Sequence, residues 1–455
     1  QPKRGFVFPF EKWMQEDWHK SFADIGRVLP GPNPTWYQRW AVFMLQNWAT
    51  KNGVNASSLS PGPKTTVAAS SSLPTTTKPL SPIHFWVPGI REGSGGIQGF
   101  CRDVLQALKV SFPGRPIHVL IKNDEPEAGD TLFGGLVTWS SSQNTPAKLR
   151  TAGFALKGLL ACVRQRPAFI LSGHVNFLPA VHSLKRGFGT PFAVFMYGID
   201  VWEPLSRRVR SALRSADLVC SISRYTTAQA SKAQGINSLS IVPFPCTFND
   251  ERYVPGPKPP HLLQRYGLRA DQPVIFTVSR LAATERYKGH EQVLDALHEV
   301  SRRFPDLCYI IGGTGDYAHV LRARAAELGL ADRVIFAGFI PNDELCAHYQ
   351  LCDVFIMPSR KEGFGIVFVE AASCGKPVIG GNQDGSVDAL ADGKIGVLVD
   401  PADVPGIAQA IIQTLDKTHP NTLLFDPHAL HEVTANTFGP QAFQTRLRDL
   451  LTPYL

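Results

Sequence analysis

Short, mostly apolar runs recur along this chain and alternate with longer amphipathic stretches. In the first half they are Ile83 to Val87, Pro116 to Ile121, Ala168 to Leu171, Phe192 to Tyr197 and Leu218 to Ile222. In the second half they are Val274 to Val278, Leu307 to Ile311, Arg333 to Pro341, Val354 to Met357, Pro377 to Ile379 and Gly396 to Val399. Runs this short, bounded by Gly, Pro and polar residues, predict buried strands. The stretches between them carry helical spacing. They predict helices after Gly99 to about Val110, and over 146–166, 205–215, 290–303, 342–351, 365–374, 403–416 and 441–451. Strand followed by helix, repeated in two series, predicts an α/β chain with two Rossmann-like halves.

The breaks divide the chain. Residues 1–50 hold Trp13, Trp18, Trp36, Trp40 and Trp48 and read as an aromatic extension with a short amphipathic helix over 36–48. Residues 51–82 are rich in Ser, Thr and Pro with almost no large apolar side chains, so burial cannot offset their ordering entropy and a flexible linker is expected. A first domain is expected over 83–255 and a second over 256–438, split at the Pro-rich stretch 255–260. A last helix over 439–455 is expected to pack toward the first domain.

Composition narrows the function. Net charge is +8 and pI about 9.0, which suits anionic ligands or an anionic membrane surface. The basic residues form no tract and no nucleic-acid motif is present, so nucleic acid is not an expected partner. Eight scattered cysteines without a Cys-x-x-Cys pair read as free thiols of a reducing, cytoplasmic compartment. No apolar run reaches about eighteen residues, so no transmembrane helix is expected. The helix over 146–166 carries Lys148, Arg150, Lys157, Arg164 and Arg166. Its apolar residues are expected to cover the sheet, leaving a basic face that is either solvated or set against an anionic membrane.

The chemistry concentrates between Val354 and Gly381. There the strand leads through Glu362-Gly-Phe-Gly365 into a helix carrying Glu370. Glycines let backbone N–H groups approach a ligand, and a helix N-terminus favours an anion. Two carboxylates flanking that point suit a phosphate with hydroxylated sugars at either end, that is, a sugar nucleotide. Arg280, at a strand end, and Lys288, at a helix start, supply a guanidinium fork and a point charge fit for a diphosphate. His174 stands at the carboxyl end of a strand, where open α/β sheets bind ligands.

The string Glu362-Gly-Phe-Gly-x4-Glu370, with Gly375-Lys-Pro-Val-Ile379 after it and Ser279-Arg-Leu…Lys288-Gly before it, resembles the signature of retaining glycosyltransferases of family 4. That resemblance implies a GT-B fold, two Rossmann-like domains facing a cleft. It assigns Glu362 to donor-sugar hydroxyls, Glu370 to the ribose, and backbone N–H groups of Phe364, Gly365 and Ile366 to the diphosphate. Arg280 and Lys288 would hold the leaving group, backbone near Ile340 would read the nucleobase, and the Gly95-Gly96 turn would lie under the diphosphate. His174 would sit near the donor sugar and Asp200 on the acceptor side. Two departures stand out: Tyr197 replaces the usual histidine before Gly198-Ile-Asp200, and Ile241 to Asn249 replaces Val-x-Pro-Asn-Gly-Val-Asp.

The expectation is a retaining hexosyltransferase that moves a sugar from a UDP- or GDP-linked donor to a hydroxyl of a glycan, polysaccharide precursor or glycolipid. No cofactor is expected. No Asp-x-Asp triplet occurs, so no metal is expected to grip the diphosphate. Two rivals share the fold: a sugar-nucleotide 2-epimerase, which needs no acceptor, and a non-catalytic sugar-nucleotide-binding protein.

Overall fold

The computed structural model describes residues 80–91 and 95–455, which belong to one compact unit. The aromatic extension and nearly all of the expected linker lie outside the described residues.

The apolar runs form two parallel sheets. The first contains β1 (Ile83–Val87), β2 (Ile117–Ile121), β3 (Val137–Ser141), β4 (Phe169–Ser172), β5 (Phe192–Met196), β6 (Leu218–Ser221) and β7 (Ile241–Pro243), in the order β3-β2-β1-β4-β5-β6-β7. Between them run α1 (Gly96–Ser111), α2 (Arg150–Gln165), α3 (Leu178–Phe188), the single turn α4 (Ile199–Trp202), α5 (Arg207–Arg214) and α6 (Arg224–Gln234). The second sheet contains β8 (Val274–Val278), β9 (Cys308–Gly312), β10 (Val334–Gly338), β11 (Val354–Met357), β12 (Val378–Gly381) and β13 (Val397–Val399), in the order β10-β9-β8-β11-β12-β13. Its helices are α7 (Pro260–Tyr266), α8 (His290–Arg303), α9 (Ala318–Glu327), α10 (Asn342–Leu351), α11 (Ile366–Ser373), α12 (Ser386–Ala389), α13 (Val404–Leu415), α14 (Pro427–Phe438) and α15 (Pro440–Leu451). In each sheet the chain winds outward one way, returns to the centre and winds out the other way. The order reverses between β1 and β4 and again between β8 and β11, and crevices for ligands open at such points.

α15 returns to the first sheet, as expected. Phe443 meets Phe100 of α1 edge-on at 5.7 Å and Phe244 at 4.8 Å, Ser111 Oγ donates to the Gln444 carbonyl at 3.3 Å, and the Arg115 guanidinium donates to the Leu455 carbonyl at 2.6 Å.

The opposite side of the first sheet is covered by α2, α3 and α5 over one core that includes Trp86, Phe154, Val181, Phe192 and Leu213. Here the structure corrects the sequence reading of α2. The side facing the sheet is Phe154, Gly158 and Cys162, at i, i+4 and i+8, and the helix begins at Arg150, four residues later than expected. Trp86 stands so tall on β1 that a Cβ at Gly158 would overlap its indole. The large leucines of α2 therefore do not cover the sheet but face outward.

Candidate functional site

The sequence-predicted residues of the two halves lie at the carboxyl ends of strands, mostly beside the two reversal points. Gly95 caps α1 after β1, and His174 follows β4. Arg280 follows β8, and Glu362 follows β11. Ile340 lies farther out, after β10 on the sheet edge, buried with its Cδ1 against Gly312. The two carboxyl-end surfaces meet. A Cβ on Gly363 would come 2.5 Å from the Tyr197 carbonyl and 3.5 Å from Ile222 Cδ1, so glycine is what lets the Glu362–Gly365 loop touch the first domain. Arg224 at the start of α6 donates from Nε to Asp388 at 2.6 Å and from its terminal nitrogen to Asp392 at 2.5 Å, both beyond β12 in the second domain.

Lys288 and Glu362 form the centre. Lys288 Nζ donates to Glu362 Oε2 at 2.9 Å, and both side chains are largely buried. Burial opposes the charge on Lys288, but Glu362, Tyr287 and Glu285 together hold its pKa above the usual lysine value. Gly289 makes this approach possible: its φ of 86° is left-handed, and a Cβ there would strike the Pro358 carbonyl just upstream of Glu362. The Ser279 hydroxyl and His290 Nε2 lie 3.2 Å apart, tying the end of β8 to the start of α8. Glu285 joins the two cations. It pairs with Arg280 through Oε1, while Oε2 lies 3.9 Å from Lys288 and is buried without a hydrogen-bond partner among the described residues.

The loop carrying Glu362 is held by Asp384, which is 2% exposed. Asp384 Oδ2 accepts from the Glu362 N–H at 2.7 Å and from the Ser359 hydroxyl at 2.7 Å, and Oδ1 accepts from the Ser386 N–H at 2.9 Å. Burial pushes the Asp384 carboxyl above the usual aspartate range, against these hydrogen bonds. Sequence reading missed both: Asp384 acts on a loop 22 residues away, and Glu285, although close to both cations in sequence, belongs to no motif that marks it.

Beyond Glu362 the chain turns through Gly365, with φ of 88°, into α11. Among the described residues, the N–H groups of Phe364, Gly365 and Ile366 meet no acceptor, as befits a helix start. Phe364 itself is buried against Phe438. One turn further, Glu370 accepts from the Tyr349 hydroxyl at 2.8 Å, while burial pushes its carboxyl above the usual glutamate range.

On the first domain, His174 Nδ1 accepts from the Asn176 N–H at 3.2 Å, which leaves Nε2–H as a donor. Burial, then Lys122, lowers its pKa, so the ring is neutral near pH 7. Gly95 takes φ of 147° and Gly96 opens α1 with nothing near its Cβ position. Asp200 is turned inward. Its Oδ1 accepts from the Gly198 N–H at 2.6 Å and the Tyr197 N–H at 3.1 Å, and burial pushes its pKa up to about 6. It thus holds the turn that touches Gly363. Tyr197, at the position of the expected histidine, donates its hydroxyl to the Gly173 carbonyl at 3.1 Å inside the first domain. Among the described residues no cluster of three or more His, Cys, Asp or Glu side chains is disposed around a metal position, and no helix is long and apolar enough to cross a membrane.

Comparison with known proteins agrees with this architecture. Residues 261–423 match the model of the family described as glycosyl transferases group 1. Over 227 residues the chain is 39% identical to the GDP-mannose-dependent alpha-(1-6)-phosphatidylinositol monomannoside mannosyltransferase of Mycolicibacterium smegmatis, covering 47% of this chain and 58% of that protein. A 2-deoxystreptamine glucosyltransferase of Streptomyces kanamyceticus is 28% identical over 73% of this chain and 90% of its own length. The matched part thus spans little more than half of the mannosyltransferase. Among solved structures, Anabaena HepE in complex with UDP and glucose superposes with a TM-score of 0.65 at 21% identity, over 82% of this chain and all of that one. Sucrose-phosphate synthase from Thermosynechococcus elongatus gives a TM-score of 0.66 at 21% identity over 82% and 99%. Residues 261–423 thus carry the sequence of the glycosyl transferases group 1 family, and the two facing sheets together with the solved structures give the chain the GT-B fold.

Proposed function

We propose that this protein transfers a sugar from a nucleotide-diphosphate donor to a hydroxyl acceptor, with retention at the anomeric carbon and without a metal ion. The observation that carries the reading is the buried Lys288–Glu362 pair, 2.9 Å apart, set beside the unpaired N–H groups of Phe364, Gly365 and Ile366. Those groups would receive the diphosphate. Glu362 would accept hydroxyls of the donor sugar and Glu370 those of the ribose, with the Gly95–Gly96 turn below the diphosphate and backbone near Ile340 at the nucleobase.

As the bond from the anomeric carbon to the phosphate oxygen breaks, its electron pair stays on the diphosphate. Lys288 and Arg280 would neutralise it there, fixed in place beforehand by Glu285 and Glu362. Fixed cations and a helix N-terminus do the work that a metal does elsewhere. The acceptor hydroxyl would attack from the face the diphosphate leaves and pass its proton to the departing phosphate oxygen. His174, neutral with Nε2–H free to donate, would bind a donor-sugar hydroxyl. Glu362 and Glu370 are binding groups in this scheme, not a glycosidase-type acid and nucleophile. Asp200 would act on the acceptor side through the turn it holds.

The mannosyltransferase relative uses GDP-mannose and a phosphatidylinositol mannoside. We therefore propose GDP-mannose as donor and a lipid-linked glycan as acceptor. The test is a thermal-shift panel of GDP, UDP and ADP with their sugar conjugates, each with and without EDTA. A ligand at about 100 times its Kd adds roughly 2.7 kcal/mol. A shift with the GDP series alone, unchanged by EDTA, is expected, and no shift with any nucleotide overturns the reading. Incubation with donor alone separates transfer from epimerisation, since an epimerase needs no acceptor.

A further inference from the structure

The outward face of α2 has no counterpart in the donor site and an unusual composition. Leu149, Leu156, Leu159, Leu160 and Val163 are 43–61% exposed and lie on the side opposite Phe154, Gly158 and Cys162. They form a second apolar stripe on a helix whose first stripe is already buried. Scattered exposed leucines are ordinary, whereas three leucines and a valine on one helix face, with Leu149 at its cap, are not.

The surroundings indicate what covers the stripe. α2, α3 and α5 share one core and lie side by side, and no Asp or Glu occurs in any of the three. Their exposed positions instead carry Lys157, Arg164, Arg186, Arg207 and Arg208. Phe188, at the end of α3, is 40% exposed under the Arg166 guanidinium, 5.2 Å from its ring. An apolar stripe inside a field of cations, in which Asp217 pairs with Lys185 at 2.7 Å and the helices themselves carry no carboxylate, matches an anionic lipid surface. Leucines enter the acyl boundary, and lysine and arginine meet the headgroup phosphates. A protein partner would need an apolar ridge with carboxylates around it, and a second copy of this chain would set like charges against each other.

We propose that α2, with the basic ends of α3 and α5 beside it, is the surface by which this protein docks on an anionic membrane. The proposal deepens the acceptor half of the transfer reading and rests on it for the choice of a lipid. The docked face belongs to the first domain, which leaves the second free to move against it and to take donor from solution.

The experiment is co-flotation of the full chain with vesicles of phosphatidylcholine alone and of phosphatidylcholine mixed with phosphatidylglycerol, at low and high salt. The expected result is binding to the mixed vesicles, weakened by salt, and little binding to the neutral ones. Leu156→Asp with Leu160→Asp should lower the partition coefficient about a hundredfold. These side chains point away from the core, so the melting temperature and the GDP shift should be retained. Should that variant misfold, Arg164→Ser with Arg207→Ser and Arg208→Ser serves in its place and should abolish the preference for phosphatidylglycerol. Absence of binding, equal binding to both vesicles, or full binding by a folded variant overturns the surface. So does a dimer in light scattering that the aspartates dissolve, since the stripe then covers a second copy. Donor binding without vesicle binding sinks the surface alone, and vesicle binding without donor binding sinks the transfer reading alone.

Discussion

Replacing Asp384 tests whether the loop bearing Glu362 is positioned from behind. In Asp384→Ala three donors lose their acceptor in a buried site: the Glu362 N–H, the Ser359 hydroxyl and the Ser386 N–H. Each buried group left unpaired costs about 1–3 kcal/mol, so after relaxation the loss is about 3–6 kcal/mol. Asp384→Asn is gentler. Its carbonyl oxygen can take the two donors that share Oδ2, and its amide then faces the Ser386 N–H, so one bond is lost, at about 1–3 kcal/mol. Relief of the buried charge, which holds the Asp384 pKa above its usual range, offsets part of that. The functional effect should follow the same order. If the alanine variant lets the loop shift by about 1 Å, turnover falls on the order of 10²-fold, while asparagine stays within a few-fold. Glu370 and Tyr349 are untouched, so the thermal shift given by GDP without sugar should persist in both. Steady-state kinetics, melting curves and the GDP shift together decide. Alanine turning over like the parent, or asparagine as damaged as alanine, refutes the idea that these hydrogen bonds position Glu362.

Three further outcomes are expected. Lys288→Met should lower turnover about 10²–10³-fold, since it removes a cation from the leaving group, and a rate within threefold of the parent would deny Lys288 that role. Gly363→Ala places a Cβ 2.5 Å from the Tyr197 carbonyl, so transfer should fall at least about tenfold with the GDP shift retained; unchanged transfer would mean that this approach of the two domains is dispensable. Asp200→Asn keeps Oδ1 for both N–H groups and should fold. The folded pKa of Asp200, about 6, lies above its unfolded value, so its contribution is full below about pH 4 and is lost as pH rises through 6. Urea melts at pH 4 and 7 should show the parent losing roughly 2–3 kcal/mol relative to the asparagine variant across that span, and a flat difference rejects the assignment.

How much of this molecule the sequence disclosed depended on where each signal was written. Strands buried on both faces are nearly continuous apolar runs, so Ile83–Val87, Val274–Val278 and Val354–Met357 are found as expected to the residue, as is the helix Asn342–Leu351. β3 was missed because it is an edge strand, with Thr138 and Trp139 exposed and no apolar run to mark it. α9 was missed because Ala and Arg dominate it and it buries little besides Leu321 and Ala325. α14 could have been found, since Asp426 followed by Pro427 is a helix start and Asp426 does cap it, accepting from the N–H groups of His428 and Ala429. At the candidate site, the residues expected to face a ligand stood out in the sequence because they cluster at turns with glycine. The groups that hold those residues did not: Asp384 reaches Glu362 and Tyr349 reaches Glu370 only once β8, β11 and β12 lie side by side, and Glu285, although it stands between Arg280 and Lys288 in sequence, shows its role only once that segment is folded. α2 gives the sharpest case. Its periodicity announces an amphipathic helix but cannot say which of two apolar stripes faces the sheet. That is decided by Trp86 on another strand, whose bulk admits only a glycine at 158 and so turns the leucines outward. A helix propensity scale records Gly158 as a cost, whereas in the folded chain it is the residue that gives this protein its outward apolar face.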